Sequence, residues 1–279
     1  MLQYLTTNLV FLECKMMEFK TIKFEKNGAV GNIIFNRPEI HNAFNSLVID
    51  EMLELFTRLD KDKELRVIVI TGAGKSFCAG ADLNWMRSVI NQSFEENLIE
   101  SNKLAELFYK VYSFRLPVIG KINGAAIGGG TGFVAVCDIA IAVESAKFSF
   151  SEVKIGVVPA CIGPYVIKKM GEGKARELFI TGERMLAKRA FEVGLVNKYV
   201  PDNQLDSSVD ELVQTILSSG PEAVSMAKKL VSEVPSMTPE QFKPYTAEMI
   251  AKLRISDEGQ EGMDAFLNKR KPKWVVDEQ

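Results

Sequence analysis

Two short stretches hold what is needed to build an anion site without a charged side chain. "FCAGADLNWM", residues 77–86, places Ala79-Gly80-Ala81-Asp82 between an apolar strand and a helical pattern, and "GAAIGGGTGFVAVCDIAIA", residues 124–142, places Gly128 to Gly130 ahead of another. Glycines at the mouth of a helix leave backbone N–H groups without intrahelical acceptors, and those groups, with the helix dipole, favour negative charge. Two such groups from separate turns can grip one oxygen from two sides. Glycine clusters also mark tight turns and close packing, so spacing alone leaves both readings open. Asp82 fits the N-cap of the following helix better than it fits chemistry.

More familiar chemistries fall away one by one. "TGAGKSF", residues 71–77, contains Gly-Lys-Ser after a strand, but the glycine that a phosphate-binding P-loop needs five positions before Gly74 is Val69. No G-x-G-x-x-G register fits either, because Phe133 and Ala135 stand where the third glycine belongs. The single histidine, His41 in "RPEIHNAF", and the lack of a G-x-S-x-G elbow leave no Ser-His-Asp relay, so His41 is read as a structural or surface histidine. Cys14, Cys78, Cys137 and Cys161 form no CxxC pair, so neither a metal site nor a disulfide framework is expected, and a reducing cytoplasm is the simplest compartment. Net charge is −2 with basic residues scattered along the chain, which argues against a nucleic-acid partner. The apolar run from Gly124 to Val143 carries Asp138 and helix-breaking glycines, which argues against a membrane span.

The elements that must position these turns follow from periodicity. "TIKF" and "VGNIIF" around "KNG" read as a hairpin. A helix from Asn45 to Asp60 places Leu47, Ile49, Met52, Leu53, Phe56 and Leu59 on one face, and a second from about Glu95 to Phe114 does so with Leu98, Leu104, Leu107, Phe108 and Val111. "RVIVITG", "PVIGKING", "IAIAV" and "KFSFSEV" read as strands of one continuing sheet, and helices dominate after Pro159. The alternation predicts a layered α/β core over residues 17–200 and a helical C-terminal part over 201–279, with residues 1–16 a loose tail ahead of an alternative start at Met16 or Met17. Four short amphipathic helices in that last part must pack on the core or form a subunit interface. No internal repeat stands out.

Beyond composition and spacing, "NRPEIHNAFN", "RVIVITGAGKSFCAGADLNWM", "GAAIGGGTGFVAVCDIAIA", "FSFSEVKIGVVPA" and "ITGERMLAKRAFEVGLVNKYV", in this order, resemble the enoyl-CoA hydratase/isomerase (crotonase) family, from about Met17 to Trp274. The wording is most similar to the methylglutaconyl-CoA hydratase type. The resemblance implies a spiral of repeated ββα units, C-terminal helices that build a homotrimer or a dimer of trimers, and an acyl-CoA substrate with no separate cofactor. It implies that the backbone N–H groups of Ala81 and Gly129 form an oxyanion hole for a thioester enolate, and that Glu152 is an acid/base. The acyl pocket would be lined by Ala79, Gly80, Asp82, Leu83, Trp85, Met86, Gly128, Cys161 and Ile162, and an apolar lining would raise the pKa of Glu152. Phe266 and Lys269 would reach the nucleotide end of CoA in a neighbouring subunit.

The family's second glutamate is missing, since that position is Gly132. Two carboxylates can hold and split a water across a double bond, whereas one suffices to move a proton along an acyl chain. The lone carboxylate favours proton relocation, but the similarity to methylglutaconyl-type hydratases makes hydration of a 2-enoyl-CoA the first expectation, a Δ3,Δ2-enoyl-CoA isomerase with Glu152 as sole base the second, and a non-catalytic CoA-binding scaffold the third.

Overall fold

β-Branched and aromatic residues flanking Asn27-Gly28 form the expected hairpin. In the computed structural model, which describes residues 19–275, β1 (Ile22–Asn27) and β2 (Val30–Phe35) pair antiparallel, and Gly28 takes a positive φ of 56° in the turn. The tail expected over residues 1–16, Cys14 included, lies outside the described residues. Next comes α1 (Ser46–Leu59), where the Asn45 side chain accepts from the Val48 amide and satisfies one open N–H. Val48, Ile49, Met52, Leu55, Phe56 and Leu59 bury one face of α1, while Leu47 stays 40% exposed.

The chain then alternates between two sheets. β3 (Val67–Gly72) turns sharply into β4 (Ser76–Cys78), followed by α2 (Leu83–Val89) and α3 (Phe94–Tyr112). α3 opens on a Ser93/Glu96 capping box. It buries Leu107, Phe108 and Val111 but leaves Leu98 half exposed, because its first turns run past the core. β5 (Val118–Ile122), β6 (Ala125–Ile127) and α4 (Gly129–Val136) repeat the pattern, and β7 (Ile139–Val143) and β8 (Lys147–Ser149) begin it again. The remaining elements are α5 (Gly163–Met170), α6 (Glu172–Thr181), β9 (Arg184–Leu186), α7 (Ala187–Glu192), β10 (Lys198–Val200), α8 (Leu205–Leu217), α9 (Pro221–Glu233), α10 (Pro239–Ile255) and α11 (Asp257–Leu267).

The five longer strands and the short β10 form a six-stranded sheet of order β1-β2-β3-β5-β7-β10, and the other short strands form a four-stranded sheet of order β4-β6-β8-β9. All neighbours are parallel except β1/β2 and β8/β9. These are the repeated ββα units that the family resemblance implied. Asn123 locks two of the corners together, its side-chain amide donating to Gly72 O (2.8 Å) and Gly74 O (3.0 Å). "KFSFSEV" departs from the sequence reading: only Lys147–Ser149 is strand, it lies in the second sheet, and Ser151–Ile155 winds into a 3₁₀ turn.

Between the sheets sits an aromatic cluster centred on Phe133 of α4, whose ring centroid lies 5.0 Å from Phe35, 5.9 Å from Phe44 and 4.9 Å from Phe108. Truncating a buried phenylalanine of this kind costs about 3–5 kcal/mol, so α4 is held firmly by its own side chains. α8 packs on β3, β5 and β7, and α9 is tied to the core by Lys228, whose Nζ lies 2.8 Å from Asp138. Val231, Ile250, Ile255, Phe266 and Leu267 of the last helices are exposed. No helix among the described residues is long and apolar enough to cross a membrane.

Candidate active site

Three neighbouring parallel strands end at one edge of the small sheet. Cys78 of β4 is in register with Ala126 of β6, and Ala126 and Ile127 are in register with Phe148 and Ser149 of β8. The turns that leave these strands therefore emerge on the same side: Ala79–Asp82 after β4, Gly128-Gly129 after β6, and the 3₁₀ turn with Glu152 after β8. The carboxyl ends of parallel strands are where open α/β sheets bind ligands.

The first two turns touch. Gly80 has a φ of 93°, and a Cβ there would come within 2.7 Å of Ile127 O, so only glycine permits the approach. A Cβ on Gly130 would overlap Cys78 O. Thr131 fastens the head of α4, its hydroxyl donating to Ala126 O (2.6 Å) and Ser149 O (3.0 Å), and the Gly128 amide also donates to Ser149 O.

This bonding leaves two donors open. Phe44 forms an isolated bridge with Ala81: its amide donates to Gly80 O and its carbonyl accepts from the Asp82 amide, both at 2.8 Å. The Ala81 N–H between them, and the Gly129 N–H at the head of α4, reach no acceptor among the described residues. Asp82 accepts from the Asn84 amide and caps α2, as its sequence position suggests.

Glu152 faces this edge. Its Oε1 lies 3.2 Å from where a Cβ on Gly128 would sit, so a side chain at 128 would displace the carboxylate. Its Oε2 is buried and has no hydrogen-bond donor among the described residues. Burial pushes the carboxyl above the ordinary glutamate value, only partly offset by a hydrogen bond from its own amide. A part-buried carboxylate with a free lone pair and a raised pKa is suited to accept a proton near neutrality.

The place of the missing glutamate is filled. A Cβ on Gly132 would overlap Cγ2 of Ile162, and the Phe108 ring stands 3.1 Å away. Ile162 is 2% exposed, so that corner is apolar and closed. Trp85 packs on Phe44 with centroids 5.8 Å apart and donates Nε1–H to Glu100, while Cys161 Sγ lies 3.7 Å from Ser101 O. Residues 100 and 101 of α3 thus join the two walls expected for the acyl pocket. Met86 is half-buried on α2, whereas Leu83 is 69% exposed at the rim. Phe266, 83% exposed, and Lys269 stand apart at the end of α11 and do not join the wall that this chain builds.

Sequence reasoning placed Phe108 only on a helix face and passed over Phe44 and Arg37, all of which shape the site through contacts with residues remote in the chain. Phe44 and Arg37 lie in or beside the quoted "NRPEIHNAFN" motif, which was the available signal. His41, expected to be structural or at the surface, is exposed, with its Nδ1 3.0 Å from Ser76 Oγ and its carbonyl accepting from the Ala79 amide. Among the described residues no cluster of His, Cys, Asp and Glu could hold a metal ion.

A family profile described as enoyl-CoA hydratase/isomerase matches residues 25–277. A short-chain-enoyl-CoA hydratase of Clostridium acetobutylicum is 33% identical over 91% of this chain and 97% of its own length. A crotonyl-CoA hydratase of Syntrophomonas wolfei is 32% identical over 93% of this chain and 99% of its own. The crystal structure of an enoyl-CoA hydratase from Shewanella pealeana superposes with a TM-score of 0.89 at 36% identity, covering 94% of this chain and 98% of the other.

Proposed function

The chain belongs to the enoyl-CoA hydratase/isomerase family, and from that premise we propose that it adds water to a 2-enoyl-CoA through a thioester enolate. One observation supports the site assignment: the turns after β4, β6 and β8 bring to a single edge two N–H groups without an acceptor and a carboxylate whose Oε2 has no donor among the described residues. The thioester oxygen takes the Ala81 and Gly129 amides. As charge moves from the double bond onto that oxygen, fixed donors stabilise the enolate more than the neutral carbonyl, and each is worth about 3–4 kcal/mol in the transition state.

Glu152 accepts a proton from water as the water oxygen bonds to C3. The electron pair of the C2–C3 double bond passes into the enolate, and Glu152 then returns the proton to C2. Atoms and charge balance with one carboxylate, which suits a site whose second carboxylate position is closed by Ile162 and Phe108. That same closure favours a second reading, in which Glu152 carries a proton between C2 and C4 of a 3-enoyl-CoA. The reaction needs no cofactor beyond the CoA carried by the substrate. A branched or carboxylated acyl group fits the methylglutaconyl-like wording. Exposed apolar residues on α9, α10 and α11 support assembly as a trimer or dimer of trimers, in which Phe266 and Lys269 meet a neighbour's CoA. Thiols at Cys78, Cys137 and Cys161 suit a reducing cytoplasm.

Incubation with crotonyl-CoA, 3-methylglutaconyl-CoA and a 3-enoyl-CoA, following enoyl-thioester absorbance and product mass, decides between the readings. Gain of one water on a 2-enoyl-CoA is expected. Migration of the double bond without hydration would replace the first reading by the second, and inertness with retained CoA binding would leave a scaffold.

A further inference from the structure

The segment from Arg37 to Phe44 wraps the turn that carries Ala81. Three backbone bonds join them: Ala79 N–H to His41 O (3.0 Å), Phe44 N–H to Gly80 O (2.8 Å) and Asp82 N–H to Phe44 O (2.8 Å). The segment is conformationally costly, with His41 and Asn42 at φ of 56° and 58°, a region that side chains other than glycine rarely occupy. Asn42 holds it in shape, accepting from the Arg37 amide and donating to Ala73 O and Ser76 O. Arg37 closes the ring: Nη1 donates to Ala43 O at 2.7 Å and Nη2 to Asp82 Oδ2 at 2.8 Å.

Asp82 is next to the open Ala81 amide, and its carboxylate is 9% exposed. Burial pushes its carboxyl up, but the Asn84 amide and the Arg37 guanidinium outweigh that and hold it below the ordinary aspartate value, so it stays charged. An uncompensated carboxylate in this place would oppose the negative charge that develops on the thioester oxygen, and would do so in the transition state more than in the bound substrate.

We infer that Arg37 is a positioning residue for the oxyanion hole: its guanidinium fixes the Ala81 turn through Ala43 and neutralises Asp82, so that the helix-capping carboxylate does not repel the enolate. The inference rests on the oxyanion assignment made above.

Its test uses the full chain as wild type, Arg37→Met, Asp82→Asn and the double variant. Each is assayed for hydration of crotonyl-CoA and for the near-ultraviolet absorbance of the enolate formed by bound acetoacetyl-CoA. A like charge about 7–10 Å from the oxyanion at an effective dielectric near 20 lowers kcat about 15- to 50-fold, so Arg37→Met should fall by that amount, lose the enolate band and keep its KM. The double variant should recover most of both signals, which a purely structural role would not restore. A double variant no better than Arg37→Met, or an Arg37→Met enzyme with wild-type kcat and enolate band, would overturn the inference. If Arg37→Met does not fold, Arg37→Lys is read instead: retention of the enolate band is expected, and its loss overturns the charge argument. Wild-type protein inert toward crotonyl-CoA would sink the hydration reading, while the enolate band still decides the role of Arg37.

Discussion

Replacing Glu152 with glutamine separates catalysis from stability, because the same physical fact drives the two in opposite directions. Glu152 Oε2 is buried without a donor among the described residues, and burial raises the carboxyl pKa. Removing the proton acceptor should lower kcat by about 10²- to 10⁴-fold, the usual worth of a positioned acid/base. CoA affinity should be nearly unchanged, because no contact to the nucleotide is lost. A buried polar atom without a partner costs about 1–3 kcal/mol. The amide keeps the shape and removes the charge, and with solvent reaching the rim about 1 kcal/mol should return, a rise of about 2 °C in Tm for a chain this long.

The pH dependence fixes the sign. An acid whose folded-state pKa lies above its unfolded value destabilises the fold where it is ionised, so the penalty is complete above the folded pKa. It disappears as pH falls below the unfolded value, about 4.3. The stability gain of Glu152→Gln should therefore be largest at neutral pH and fade toward pH 4, while wild-type kcat/KM should fall as pH drops through a value above the ordinary glutamate range. Steady-state hydration kinetics and thermal unfolding across pH read both. Unchanged turnover would remove Glu152 from the mechanism, and a stability gain independent of pH would refute the burial argument.

Two further substitutions test the geometry around it. Gly129→Pro removes an N–H donor and should cost about 10²- to 10³-fold in kcat; Gly129→Ala meets the Phe44 ring equally but keeps the N–H, so kcat near wild type in the proline variant, or equal loss in both, would sink the Gly129 assignment. Gly132→Glu should destabilise by at least about 1–3 kcal/mol through overpacking against Ile162, and Ile162→Ala, itself worth about 2–5 kcal/mol, should cost less in that background than alone; strictly additive unfolding free energies from urea titration would mean that the two positions do not compete for space.

The local signals were legible because they act over a few residues. Asn45 and Asp82 announced their helices, Asn27-Gly28 announced the hairpin, and the glycines of 128–130 announced a backbone turn without side-chain room. Motif order gave the family before any fold was known. The readings that went astray share one cause. Leu47 and Leu98 have the right spacing but lie where no second layer covers them, and "KFSFSEV" has strand-forming residues throughout, yet the sheet has room for only Lys147–Ser149 before the chain turns.

By itself the sequence determined which residue types were present to do chemistry: bare amides at two helix mouths, one glutamate in a recognisable segment, a glycine where a second glutamate could have been, and a single histidine. Only the tertiary structure decided that the amides and the glutamate share one edge, that Ile162 and Phe108 close the space over Gly132, and that Arg37 reaches Asp82. The reason is the range of the forces. Caps and turns are set by neighbours along the chain, whereas the register of parallel strands and the filling of a core corner depend on segments tens of residues apart, whose pairing no local pattern encodes.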